Sequence, residues 1–253
     1  MNKTYDFKNK IAIVFGGLGQ IGFEVVKQLN ALGTKVVVVT KQVDAFKRQK
    51  IEALNSEGIH LDIHEVDITN FNQVMSFAEV IKNKYGICDI IINSAGYSVS
   101  NKSRTLEYLD EDIINKIYAT NFSGVLFCIK ALEPMIMKSS SGVIINISSA
   151  AALGASQSHI VYSSAKAAII SMTQNLALMY APNVRVLCVS PGYLEQATSG
   201  IIKQANFNEL QKQNIPLGRV ATGFEIATSI VSLIQSFPYA TGSNFVIDGG
   251  RTL

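Results

Sequence analysis

Short runs rich in Val and Ile recur along this chain, and most are apolar on both alternating faces. They are IAIVF (11–15), VVVV (36–39), IHLDIHEVD (59–67), ICDIII (87–92), VIINI (143–147), VRVLCV (184–189) and NFVI (244–247). A strand that is apolar on both faces must be covered on both, which is the pattern of a parallel sheet between helical layers. The intervening segments have helical spacing. Phe23, Val26 and Leu29 repeat by threes beside Val25 and Leu32. Val74, Phe77, Ala78 and Ile81 follow the turn residues Thr69-Asn70, and Ile226, Ile230, Leu233 and Ile234 repeat the pattern near the end. Strand alternating with helix predicts an α/β fold: a Rossmann-type, doubly wound, parallel seven-stranded sheet with helices on both faces. No internal repeat, low-complexity tract or Pro/Gly-rich linker interrupts it, so residues 1–253 read as a single domain.

Composition narrows the function classes. With 48% hydrophobic and 16% charged residues, the chain can bury a large core and is not expected to be disordered. A net charge of +3 spread along 253 residues gives no footprint for nucleic acid. No apolar run approaches the roughly 20 residues that span a bilayer, so no membrane partner is expected. Residues 1–10 carry Lys3, Asp6, Lys8 and Lys10, and only 11–15 are continuously apolar before glycine, which is not a signal peptide. Cys88, Cys128 and Cys188 lie far apart in apolar runs and form no CxxC pair. They read as reduced core thiols of a cytoplasmic protein. His60 and His64, four apart on a strand, would lie ~13 Å apart, so no metal site is expected.

The first predicted strand runs into Gly16-Gly17-Leu18-Gly19-Gln20-Ile21-Gly22 and then a helix. Such a turn lets backbone approach a pyrophosphate and aims free N–H groups of the helix at it. Gly16, Leu18, Gly19, Gln20 and Ile21 are therefore candidate dinucleotide contacts. At the end of the second strand an acid would bind a free ribose 2′-hydroxyl. Here Thr40 and Lys41 stand there, with no acid until Asp44. A cation beside the ribose favours a 2′-phosphate, so NADP(H) is favoured and NAD(H) stays open.

Tyr162-Ser163-Ser164-Ala165-Lys166 places a phenol and an ammonium on one helix face, about 5–6 Å apart at Cβ. A nearby cation favours phenolate, so such a tyrosine can exchange a proton with a carbonyl or alcohol oxygen. Ser148-Ser149, at the end of the fifth strand, offers a hydroxyl to hold the same oxygen.

These features together resemble the classical short-chain dehydrogenase/reductase family over essentially the whole chain. Asn93-Ser94-Ala95-Gly96 resembles the family's Asn-Asn-Ala-Gly, and Asn121 its helix asparagine. Ser149, Tyr162 and Lys166 match the remaining catalytic positions. Ser190-Pro191-Gly192 resembles the turn on the nicotinamide side, and Asp67 the acid near the adenine. Pro216-Leu217-Gly218-Arg219 and Val246-Ile247-Asp248-Gly249-Gly250 resemble the C-terminal signatures. Departures are Phe15 and Gln20 in the glycine turn, Ser94 for asparagine, and Gln196 where a threonine is common. Gly19 gives the glycine spacing of the extended branch, read here as a local variant.

The resemblance implies hydride transfer between a nicotinamide and a small-molecule carbonyl or secondary alcohol. Tyr162 would be the general acid or base and Ser149 would hold the substrate oxygen. Lys166 would lower the Tyr162 pKa and bind ribose, and Asn121 would hold a water linking Lys166 to solvent. Asp67, Ile68, Asn93, Ala95, Gly96, Pro191, Gly192 and Leu194 would join Tyr162 and Lys166 in contacting the cofactor. Residues 97–105 and a lid at 193–214 would shape the substrate pocket, with His159 at its rim. The apolar helix at 165–179 implies a homodimer or homotetramer. Two alternatives remain. One is a 3-oxoacyl-carrier-protein reductase, for which residues 167–180 offer no Lys or Arg to an acidic carrier. The other is a non-catalytic nucleotide sensor, which would be expected to lose part of the catalytic set.

Overall fold

The computed structural model describes residues 4–99, 106–154, 158–195 and 212–253. Seven parallel strands form one sheet: β1 (Ile11–Phe15), β2 (Lys35–Thr40), β3 (Asp62–Glu65), β4 (Ile90–Asn93), β5 (Gly142–Ile147), β6 (Val184–Pro191) and β7 (Asn244–Ile247). Their order is β3-β2-β1-β4-β5-β6-β7. The chain runs outward from β1 to β3, then returns to pair β4 with the other side of β1. That reversal leaves a crevice beyond the carboxyl ends of β1 and β4, where doubly wound folds bind ligands.

Helices α1 (Gln20–Ala31) and α7 (Gly223–Ser236) pack on one face of the sheet. Helices α3 (Phe71–Tyr85), α5 (Gly124–Ile136) and α6 (Ile160–Tyr180) pack on the other. Helices α2 (Ala45–Ser56) and α4 (Glu111–Tyr118) flank the crevice end. The period of two in β1 sorts its side chains. Ala12 and Val14 join Val25, Leu29, Ile226 and Ile230, while Ile13 and Phe15 join Ile81, Ile129 and Leu132. Side-chain caps fix the helix starts: Asp44, Asn70 and Asp110 each accept from a first-turn N–H. Thr222 and Glu225 form a reciprocal capping box on α7.

Two strands are shorter than their predicted runs. The run at 87–92 gives a strand only from Ile90, because buried Asp89 is a hub. Its carboxylate accepts from the Ile11 amide (3.0 Å), the Ser139 hydroxyl (2.6 Å) and Lys10 Nζ (3.2 Å). The run at 59–67 contributes only Asp62–Glu65, an edge strand whose Asp62 accepts from Lys84, Tyr85 and His64. Such a polar edge discourages further pairing.

Cys88, Cys128 and Cys188 are buried and free, and burial raises all three thiols above their ordinary pKa, Cys188 to about 11. Among the described residues no helix is long and apolar enough to cross a membrane.

Candidate active site

Two adjoining cavities open along the carboxyl edge of the sheet. One, of about 350 Å³, is bordered by Gly19, Gln20, Ile21, Gly96, Ser149, Tyr162, Lys166, Pro191, Gly192 and Leu194. The other, of about 410 Å³, is bordered by Gly16, Gly19, Thr40, Lys41, Asp67, Ile68, Ala95 and Gly96. Gly19, Ser94, Gly96 and Tyr97 border both, so the two form one crevice along the β1–β4 junction.

Backbone contact forms the floor of this crevice. Gly16 has φ +73°, and a Cβ there would lie 2.6 Å from the Ala95 nitrogen. A Cβ at Gly22 would lie 2.3 Å from the Gly16 oxygen. Both positions need glycine, and they draw α1 tight against its strand. The Gln20 side-chain amide donates a hydrogen bond to the Glu195 carbonyl and ties this turn to the chain leaving β6.

Tyr162 sits on the first turn of α6 and Ser149 just beyond β5, and both border the same cavity, with the Ser149 hydroxyl close enough to lower the Tyr162 pKa. Ser148 also borders this cavity, but its hydroxyl is engaged: it is buried and donates to the Lys166 carbonyl at 2.7 Å. Lys166, one helical turn after Tyr162, donates from Nζ to the Ile147 carbonyl at 2.8 Å. Asn121 lies in a wide π-turn (Ala119–Ser123). Its amide donates to the carbonyls of Ile117 (2.9 Å) and Tyr97 (2.6 Å), while its oxygen accepts from the Tyr97 N–H (3.3 Å). Asn121 thus fixes the turn and the start of the loop after β4 from behind the crevice wall.

A family model described as enoyl-(acyl carrier protein) reductase matches residues 18–252. The chain is 31% identical over 245 residues to 3-oxoacyl-[acyl-carrier-protein] reductase FabG of Chlamydia muridarum, covering 96% of this chain and 97% of that one. It also resembles a short-chain dehydrogenase from Leptospira borgpetersenii solved with bound NAD+ (TM-score 0.83, 26% identity, 98% of this chain and 94% of that one). The Pseudomonas aeruginosa RhlG/NADP active-site complex matches similarly (TM-score 0.88, 26% identity, 100% of each chain). The chain belongs to the short-chain dehydrogenase/reductase family. As a member of that family it is an oxidoreductase acting on CH–OH and C=O groups and using a nicotinamide cofactor.

The crevice suits such a cofactor. Gly19 leaves open space above the turn, where a Cβ would meet only the Gly16 oxygen, and the N-terminus of α1 opens there without a side-chain cap. In this dehydrogenase/reductase the side chains of Leu18 and Asn93 lie away from both cavities. The Leu18 side chain is buried in the α1 layer. Asn93 points inward and donates to Asn146 at 2.8 Å, and neither side chain borders the crevice. The parity of β4 decides Asn93, and the tight turn points Leu18 down. His159 is buried at the start of α6 rather than at the rim. Gln196 and much of the expected substrate loops, 100–105 and 196–211, lie outside the described residues.

Sequence reading missed two cations that border the second cavity, Lys47 and Lys116. Lys47 follows the Asp44 cap by three, a spacing that turns it back toward the end of β2. Lys116 lies 4.5 Å over the Tyr97 ring, a contact with no sequence signal. Lys41 is not free: its Nζ lies 2.6 Å from Asp67. Burial alone would raise the Asp67 carboxyl, but hydrogen bonds from Lys41 and Thr69 hold it below its ordinary pKa.

The expected depression of the Tyr162 pKa is absent here. Burial pushes the phenol up, and the Ser149 hydroxyl offsets only part of that. The Lys166 cation lies over the ring and does not offset the burial of the phenol. Its Nζ is 5.8 Å from the Tyr162 ring centre, and burial pulls its own pKa down to about 8.

Proposed function

We propose that this protein transfers hydride between an NAD(P) nicotinamide and a small-molecule carbonyl or secondary alcohol, using Ser149, Tyr162, Lys166 and Asn121. The observation that carries this reading is the Ser149–Tyr162 hydroxyl pair on the crevice wall, with Lys166 one turn away. The bound cofactor would supply the hydride. Tyr162 would pass a proton to the carbonyl oxygen in reduction, or take one from the alcohol in oxidation. Ser149 would donate to the same oxygen and stabilise its developing charge. Lys166 would hold ribose hydroxyls and favour the phenolate, while Asn121 would act as a positioning residue for the Tyr97 loop. Pro191, Gly192 and Leu194 would hold the nicotinamide side, and Thr40, Lys41, Asp67 and Ile68 the adenosine side.

NADP(H) is the favoured cofactor. Its support is the pair of lysines, Lys41 and Lys47, beside a β2 end that lacks an acid. The Lys41–Asp67 pair limits the preference, because a 2′-phosphate must share that cation. A single domain in the cytoplasm, assembled as a homodimer or homotetramer through α6, completes the reading. Leu178 and Met179 on α6 are 82% and 69% exposed, which supports the assembly.

A second reading, a 3-oxoacyl-carrier-protein reductase, is favoured by the Chlamydia muridarum relative. One experiment separates the two. NADPH oxidation is followed with free ketones and with an acetoacetyl thioester of a carrier protein. Turnover of free ketones alone supports the first reading, and strong preference for the carrier thioester supports the second. No oxidation with either overturns both.

A further inference from the structure

At the amino-terminal edge of the sheet, opposite the crevice, lies a separate cavity of about 470 Å³. Gly142 opens β5 beside it, whereas Ile147 closes β5 beside the catalytic crevice. Five strand steps put the two sites roughly 17 Å apart. Nothing in the proposed reaction uses this second space.

Its lining is polar in a particular way. The Tyr5 and Ser141 hydroxyls are both buried and lie close enough to influence each other, yet neither makes a bond of good hydrogen-bond geometry among the described residues. Buried hydroxyls are ordinarily satisfied, so two in one cavity point to something that completes them. The Tyr5 backbone is pinned by its N–H to the Gln235 carbonyl, and its ring packs 5.0 Å from Phe7, so the phenol is held in place. Burial raises its pKa, which keeps it a neutral donor.

Arg185 supplies charge. Its guanidinium bonds the carbonyls of Leu233, Ile234 and Phe237 at the end of α7. Three of its five N–H groups are thereby used, and no carboxylate balances it among the described residues. Lys10 also borders the cavity, paired with Asp89. Asp89 is buried and already accepts three hydrogen bonds, while Asp6, the other acid at the rim, is exposed and accepts from the Lys8 amide.

We propose that this cavity is a second ligand site that takes a small oxyanion, a phosphate or carboxylate group. The Tyr5 and Ser141 hydroxyls donate to it, and Arg185 supplies the compensating charge. Water could satisfy two hydroxyls, but it would leave the Arg185 charge without a counter-ion, and an oxyanion answers both needs.

The test uses the full chain saturated with NADPH, so that added anions cannot use the glycine turn. Inorganic phosphate and succinate are titrated separately by calorimetry. Saturable binding of one equivalent per chain is expected for at least one probe, and which one binds identifies the class. Tyr5→Phe and Ser141→Ala should each weaken it roughly tenfold, the cost of a lost bond to a charged group. Neither residue belongs to the catalytic set, so turnover should stay unchanged. In the wild-type chain the bound probe should slow amide exchange near Tyr5 and Gly142 but not at residues 16–22. This reading needs no mutant to fold. Failure of both probes to bind, unchanged affinity in both variants, or protection confined to 16–22 would overturn the proposal and leave a solvent-filled cavity.

Discussion

Lys166 is a buried ammonium whose only hydrogen bond among the described residues goes to the Ile147 carbonyl. Its pKa is 10.5 in an unfolded chain and about 8 in the folded one. Between those values the unfolded state binds more protons, so the unfolding free energy rises with pH across that window. Below pH 8 both states are protonated and the full penalty persists, on the order of 3 kcal/mol. Lys166→Met should therefore be more stable than wild type at pH 7 in denaturant titrations while losing turnover. It should also lack the rise in stability between pH 8 and 10. Equal stability of the two proteins at pH 7 would show that the ammonium is not costly. Tyr162→Phe should lower turnover by about 10²–10⁴-fold and leave cofactor affinity nearly unchanged, as titration of nicotinamide fluorescence would report. At Ser148-Ser149 the pattern showed a hydroxyl pair but not which member was engaged by the Lys166 carbonyl. Strand parity at the end of β5 decides that, and parity becomes visible only once the strand's register is fixed. Ser149→Ala should slow turnover, while Ser148→Ala should chiefly lower stability by about 1 kcal/mol.

The glycine turn and α1 act as one unit, because Gly22 rests directly on the Gly16 carbonyl. Gly22→Ala should destabilise the protein by about 1–3 kcal/mol and weaken cofactor binding, checked by thermal melting with and without NADPH. The apolar runs placed all seven strands, since a two-sided apolar strand leaves few alternatives. They misjudged strand starts where a polar hub such as Asp89 intervenes. They also could not foresee the Lys41–Asp67 contact, which joins the ends of two strands through tertiary structure. One exposed charge-assisted contact is worth roughly 1–2 kcal/mol, so NADPH should bind about 5–30-fold better than NADH. Lys41→Ala should erase much of that ratio and Thr40→Asp should reverse it. Tighter binding of NADH by the wild type would contradict the assignment.

On the scale of the molecule, α6 both carries Tyr162 and Lys166 and exposes Leu178 and Met179 at its far end. The proposed assembly through α6 predicts that Leu178→Asp gives a smaller species than the wild type by light scattering, and an unchanged mass would overturn it. The strand order has a consequence for how the protein is made. β1, β2 and β3 are neighbours in both sequence and sheet, but β1 must wait for β4, and Ala12 pairs with Ile90. The last wall of the crevice, at Gly192, leaves the ribosome roughly 170 residues after Gly22. At ordinary synthesis rates that gap is about 10–30 s. For that interval a newly made chain carries the glycine turn with no Gly192 wall opposite it, so half of the crevice exists long before the other half can close it.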